Sequence, residues 1–198
     1  MKRLWWPILL IVVFGSSVLG NSRYLFKQST TTDCGPAAIA TLIHYYLRIT
    51  TSESEMIYLT KYRPDSGTTL QGLEEAAMSK GCAAGSFRME YVKLQEQLAT
   101  FRTPVIVRTS NPEPHYAIVL AIDKDYVYLA DPGVGNTVLR RNAFLKRWYL
   151  PRTDEGYVVV ITAPDEYVNM TGISTVVEEL RYELRGLERS RPWPTAVR

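Results

Sequence analysis

Cysteine and histidine are the scarce residues of this 198-residue chain, which contains two of each. Two cysteines cannot build a disulfide framework, and two histidines cannot build the usual histidine-rich zinc site. The chemistry is therefore expected to need no metal and no other cofactor. Extended Lys/Arg runs and basic stripes with interleaved aromatics are missing too, which argues against a nucleic-acid partner. No G-x-x-x-x-G-K-[ST] occurs, and Gly133-Val134-Gly135 reads as a turn rather than a phosphate loop. Charge is nearly balanced, with 23 Lys and Arg against 20 Asp and Glu, and setting aside Lys2 and Arg3 leaves 21 against 20. Apolar residues are plentiful. Hydrophobic side chains make up 46% of the chain and aromatics 11%, enough for a packed core and too many for a disordered chain.

The N-terminus has the layout of an export signal. Met1-Lys2-Arg3 precedes an apolar run from Leu4 to Phe14, and Gly15-Ser16-Ser17-Val18-Leu19-Gly20 closes it with small residues. Val18 and Gly20 suit the −3 and −1 positions of a cleavage site. Leu4 to Leu19 is 16 residues, short of the roughly 20 that span a bilayer. Residues 1–20 are thus expected to be a signal peptide or an N-terminal membrane anchor. The protein is expected to be exported, periplasmic or otherwise extracytoplasmic, touching a membrane only through residues 4–19 if they are retained.

Beyond this segment, helical spacing predicts a first helix over 33–46, with Ala37, Ala38, Thr41, Leu42 and Tyr45 on one face. Ser52-x-x-Glu55 is a capping box that opens a second helix running to about Tyr62, and a third spans 69–80 before Gly81. A short helix is expected over 93–100, and strands over 84–88, 105–108, 115–122, 126–130 and 157–162. Helices followed by antiparallel strands make an α+β domain over 24–162. Residues 163–198 form a tail with an amphipathic helix over 175–189, which either docks on its own domain or binds a partner, and Arg191-Pro192-Trp193-Pro194 is expected to fray.

Chemistry concentrates at Asp33-Cys34-Gly35-Pro36. A helix N-terminus stabilises an anion, which favours the thiolate of a cysteine placed there. The competing reading is a small core residue. A cysteine nucleophile needs an imidazole to exchange protons with it. His44 sits ten residues along the same helix, about 15 Å away at 1.5 Å per residue, and cannot reach Cys34. His115 remains. If Asp123-Lys124-Asp125 is the turn of a hairpin, Ile122 pairs with Tyr126 and Ala117 with Asp131, and Asp131 shares a face with His115. A two-residue turn would put them on opposite faces. The shared face carries Ala117, Val119, Ala121, Val127 and Leu129, and is expected to receive the Cys34 helix. Gln28, six residues before Cys34, is either an exposed loop residue or a side-chain amide that joins the Cys34 N–H in holding an oxyanion. Cys82 reads as a core residue.

Five blocks, Gln28-x5-Cys34-Gly35 with Ala-Ala-Ile-Ala-Thr-Leu, Gly67-Thr68-Thr69-Leu70-Gln71-Gly72-Leu73, His115-Tyr116-Ala117-Ile118-Val119 and Ala130-Asp131-Pro132, together resemble the peptidase C39 family. These are bacteriocin-processing, double-glycine leader peptidases with a papain-like fold. The resemblance implies a papain-like α+β domain and a cysteine endopeptidase. It also implies Cys34 as nucleophile, His115 as base, Asp131 as its orienter and Gln28 as oxyanion donor. It implies cleavage after small residues, Gly or Ala, of a secreted protein or leader peptide, and a link to a secretion system. The best-known members are fused to a cytoplasmic ABC transporter, whereas the export signal here is more similar to the stand-alone exported members. Two rivals are a non-catalytic peptide-binding escort module and a papain-like cell-wall hydrolase, which more often uses a second histidine.

Overall fold

The computed structural model describes residues 22–189. Residues 1–20, expected to be a signal or anchor, and the stretch expected to fray at 191–194 lie outside them. Six strands, β1 (Ala83–Glu90), β2 (Val105–Thr109), β3 (His115–Ile122), β4 (Tyr126–Asp131), β5 (Gly135–Arg140) and β6 (Glu155–Thr162), form one antiparallel sheet in the order β1-β6-β2-β3-β4-β5. The helices are α1 (Cys34–Thr41), α2 (Glu53–Leu59), α3 (Leu70–Ser79), α4 (Tyr91–Phe101), α5 (Arg141–Trp148) and α6 (Met170–Arg189). The result is the α+β architecture that the order of segments predicts. Among the described residues no helix is long and apolar enough to cross a membrane.

Two cores flank the sheet because successive strand residues point to opposite faces. On one side α1, α2, α3 and α6 pack on Ile106, Tyr116, Ile118, Leu120, Tyr128 and Ala130. On the other, Tyr91 and Leu94 of α4 and Phe144 and Trp148 of α5 pack on Val105, Val107, Val119, Val127 and Leu129. This corrects one expectation. The Cys34 helix lies on the face of Tyr116 and Ile118, and α4 and α5 cover the face that carries Val119 and Leu129.

Helix α1 is buried along its whole length rather than along a stripe. Its Gly-Pro-Ala-Ala-Ile-Ala-Thr sequence has few bulky side chains, so sheet and helices close on it from all sides. It runs into a π-helical turn, Leu42–Tyr46, where Leu47 N–H reaches back to the Leu42 carbonyl. Asn169, at the start of α6, hooks onto this turn: its backbone N–H donates to the Tyr46 carbonyl at 2.8 Å and its Nδ2 to the Tyr45 carbonyl at 2.9 Å. Asn169 Oδ1 also caps α6 by accepting from Gly172 N–H at 3.0 Å. The α6 stripe of Ile173, Val176, Val177 and Leu180 is buried in the α1 core, so this helix docks on its own domain. It begins five residues before the predicted start.

Candidate active site

Side-chain caps open α2 and α3. Ser52 Oγ accepts from Glu55 N–H at 3.2 Å to open α2, as the capping box predicts, and Thr69 Oγ1 accepts from Gly72 N–H at 3.0 Å to open α3. Asp33 precedes α1 without capping it through its side chain. Cys34 therefore stands in the first turn of α1, 7% exposed, beside the ends of β3 and β4.

Gly35 is required where it stands. A Cβ there would lie 2.9 Å from Thr68 Cβ and 3.3 Å from the Tyr116 ring. Thr68 belongs to the block that leads into α3, and its carbonyl accepts from the Tyr116 hydroxyl at 3.0 Å. The backbone of α1 thereby comes close enough to β3 for Cys34 to meet His115.

His115 opens β3 and Asp131 ends β4. His115 Nε2 lies 2.8 Å from Asp131 Oδ1, and the Cys34 sulfur is close enough to the ring to act on its charge. With Nε2 on the carboxylate, Nδ1 is the nitrogen left for the thiol. Burial works against a charged ring here. The hydrogen bonds and charges of Asp131 and Cys34 outweigh it and raise the His115 pKa from 6.5 to about 10. The site therefore favours an imidazolium bonded to a carboxylate and close to the sulfur.

Asp131 Oδ1 is fixed further by Gly133 N–H at 2.8 Å and Val134 N–H at 3.3 Å. Gln28 joins this group through its backbone, its N–H donating to the Pro132 carbonyl at 3.1 Å. Its Nε2 donates to the Thr30 carbonyl at 2.6 Å, and its buried Oε1 has no hydrogen-bond partner among the described residues. A Cβ on Gly133 would meet Gln28 Oε1, Asp131 Oδ1 and His115 Cε1, all within 3.1–3.4 Å. All four residues singled out in the sequence thus lie in one neighbourhood.

A cleft of about 290 Å³ opens beside it, with Val107, Ala117, Leu129 and Phe144 among its apolar walls and His115 and Asp131 at its edge. A larger cavity, about 400 Å³, lies between α4 and α6. It contains neither His115 nor Asp131, so the smaller cleft, which both line, is the one placed for chemistry. Cys82 is buried behind α3, and burial pushes its thiol pKa up. His44 packs edge-on against Phe26 and Tyr45 and accepts from Thr51 N–H at 3.4 Å, taking no part in the cluster. Among the described residues no group of His, Cys, Asp or Glu is arranged to hold a metal ion.

The model of the peptidase C39 family matches residues 22–166, close to three quarters of the chain. The chain belongs to the peptidase C39 family. It is a cysteine endopeptidase of papain-like fold. An uncharacterized protein of Methanothermobacter marburgensis is 38% identical over 130 residues, covering 66% of this chain and 85% of its own. The probable functional amyloid protease FapD of Pseudomonas fluorescens is 28% identical over 127 residues, covering 63% of this chain and 56% of its own. The solved peptidase domain of Streptococcus ComA, a bifunctional ABC transporter of a quorum-sensing pathway, superposes with a TM-score of 0.59. It is 26% identical and covers 70% of this chain and 96% of that domain. The C39 match ends before α6, which is built onto the α1 side of the core.

Two features of the site leave no mark in the sequence. Gly133 was part of a turn, and nothing in its neighbours' residue types signals that its N–H holds a carboxylate. Asp33 falls inside the helix predicted over 33–46, whereas the structure starts α1 at Cys34 and turns the Asp33 side chain onto Ser29 and Thr30.

Proposed function

We propose that this C39 peptidase acts through Cys34, His115, Asp131 and Gln28, and that it cuts after small residues, Gly or Ala, of a secreted protein or leader peptide. The observation that carries the reading is the His115 ring, which bonds Asp131 at 2.8 Å and lies close enough to the Cys34 sulfur to feel its charge. Cys34 attacks the peptide carbonyl as a thiolate, and the His115 imidazolium returns a proton to the leaving amine. Asp131 keeps the ring oriented and stabilises its charge. The Cys34 N–H and the Gln28 amide hold the oxyanion.

The preference for small residues follows from access. With Cys34 only 7% exposed and Gly35 pressed against Thr68 and Tyr116, a carbonyl reaches the sulfur most easily on an unbranched backbone. An exported protein acting outside the cytoplasm is supported by the signal-like residues 1–20. The similarity to FapD and to a transporter-borne peptidase domain supports a substrate that passes through a secretion system.

The test incubates the purified protein, wild type and Cys34→Ala, with peptides carrying Gly-Gly, Ala-Ala or bulky residues before the scissile bond. Cleavage after Gly-Gly and Ala-Ala, abolished in Cys34→Ala, is the expected result. Preferential cleavage after bulky residues contradicts the specificity. No cleavage of any peptide, with Cys34 shown to be reduced, favours the escort-module reading of the site.

A further inference from the structure

Asp33 carries a buried carboxyl group for which the peptidase mechanism has no use. It is 1% exposed and adjoins the nucleophile. A helix-capping aspartate would accept from the N–H groups of α1, and this one does not. It faces backward instead. Its oxygens accept from Ser29 N–H at 3.2 Å and from Thr30 N–H, shared between both oxygens at 3.0 Å. A second clamp grips the same loop: Tyr62 OH lies 3.2 Å from Thr30 Oγ1 and 2.7 Å from Thr32 Oγ1. Thr32 Oγ1 also donates to the Pro64 carbonyl at 3.1 Å. The loop so held presents the Thr30 carbonyl to Gln28 Nε2 at 2.6 Å.

A glutamine amide carries two N–H donors on that nitrogen. Thr30 uses one, which fixes the plane of the amide, and the second remains for a ligand. We infer that Asp33 is a positioning residue: by fixing the Ser29-Thr30 backbone it holds the Gln28 amide ready to donate to the oxyanion. The inference rests on the proposed role of Gln28. It predicts that Asp33 and Gln28 act as one unit, so their losses do not add.

The experiment is a double-mutant cycle on kcat for a Gly-Gly peptide, run beside the rate of Cys34 alkylation by iodoacetamide. Alkylation forms no oxyanion, so it reports the thiolate and not the hole. Gln28→Ala is expected to lower kcat by about 10²–10³, and Asp33→Asn by about tenfold, the value of one lost charged hydrogen bond. The double variant should match Gln28→Ala within about twofold, with alkylation unchanged in all three. Losses that multiply in the double variant overturn the inference and leave the role of Gln28 standing. An alkylation rate that falls with kcat in Asp33→Asn also overturns it, because Asp33 would then act on Cys34. If Gln28→Ala retains full kcat, the role of Gln28 and the inference fall together. Tyr62→Phe loosens the same loop from its other clamp and keeps the question open to refutation should Asp33→Asn not fold. Its smaller loss must likewise vanish in the Gln28→Ala background, and a loss that persists there contradicts the inference.

Discussion

His115 faces Asp131 across the sheet because a β-bulge between Val119 and Ala121 shifts the hairpin by one residue. Near the turn Ile122 pairs with Val127 and Ala121 with Tyr128, a register that would carry Asp131 out of step with His115. Beyond the bulge Val119 pairs with Leu129 and Ile118 with Ala130, and the same register puts Ala117 opposite Asp131. The extra residue is Leu120, buried at 5% exposure within an unbroken apolar run. Bulges recur beside active sites because they re-aim a side chain, and here the result is a bond of 2.8 Å.

Asp131→Asn is expected to fold and to lose orders of magnitude in turnover, because an amide no longer stabilises the imidazolium or fixes its tautomer. The pH profile should move as well. Asp131 helps hold the His115 pKa near 10, so without the carboxylate the ring loses its proton at lower pH and the alkaline limb of kcat/KM shifts toward acid. The same proton stabilises the fold. Since the folded pKa lies above 6.5, its contribution is complete below about pH 6.5 and is lost as pH rises through about 10. Wild type and Asp131→Asn should therefore differ less in melting temperature at pH 10 than at pH 6. Unchanged turnover and an unmoved limb would reduce Asp131 to a turn residue.

The two thiols should differ sharply in labelling. Cys34 lies at a helix N-terminus beside the His115 ring, whereas Cys82 is buried with its pKa pushed up. Iodoacetamide at pH 7 followed by peptide mass spectrometry should find Cys34 modified well before Cys82. Equal, slow modification of both would remove the case for a nucleophile.

Gly156→Ala is expected to destabilise the domain by about 3 kcal/mol, at the high end for overpacking. A Cβ there would lie 2.3–2.5 Å from the rigid Trp148 indole, which is fully buried and donates to the Tyr157 carbonyl at 3.0 Å. Urea unfolding measures the loss, and a change below about 0.5 kcal/mol would mean that the indole moves aside freely.

Asn169→Ala removes the cap of α6 and its hook on the Tyr45 carbonyl. A loss of about 1–2 kcal/mol is expected, with kcat per folded molecule unchanged because no catalytic group touches Asn169. A fall in kcat without a fall in stability would contradict a purely structural place for this residue.

The residues that begin helices were readable in the chain, Asp33-Cys34-Gly35-Pro36 and Ser52-x-x-Glu55 among them. Their signals are local, and α1 and α2 start where those signals put them. In the hairpin a longer turn and a bulge offset each other. The sequence offers Asp123-Lys124-Asp125 as the turn, with Ile122 opposite Tyr126, whereas Ile122 pairs with Val127. The bulge then restored the predicted partnership of Ala117 and Asp131, and a bulged Leu120 inside Ala-Ile-Val-Leu-Ala-Ile leaves no trace in the residue pattern. Strand β5 and helix α5 were missed for different reasons. Gly135 reads as a turn residue, and Arg-Asn-Ala-Phe-Leu-Lys-Arg-Trp buries only Phe144 and Trp148, too narrow a stripe to announce a helix. The face that receives α1 is decided by long-range packing. Both faces of β3 are apolar, so periodicity could not choose between them.

The most direct measurement traps the nucleophile. A Gly-Gly peptide chloromethyl ketone should alkylate Cys34 stoichiometrically with loss of chloride, adding its mass less HCl, and the rate should fall by orders of magnitude in His115→Ala. Modification at Cys82, or at Cys34 with a rate indifferent to His115, would contradict a Cys34–His115 pair at the centre of this peptidase.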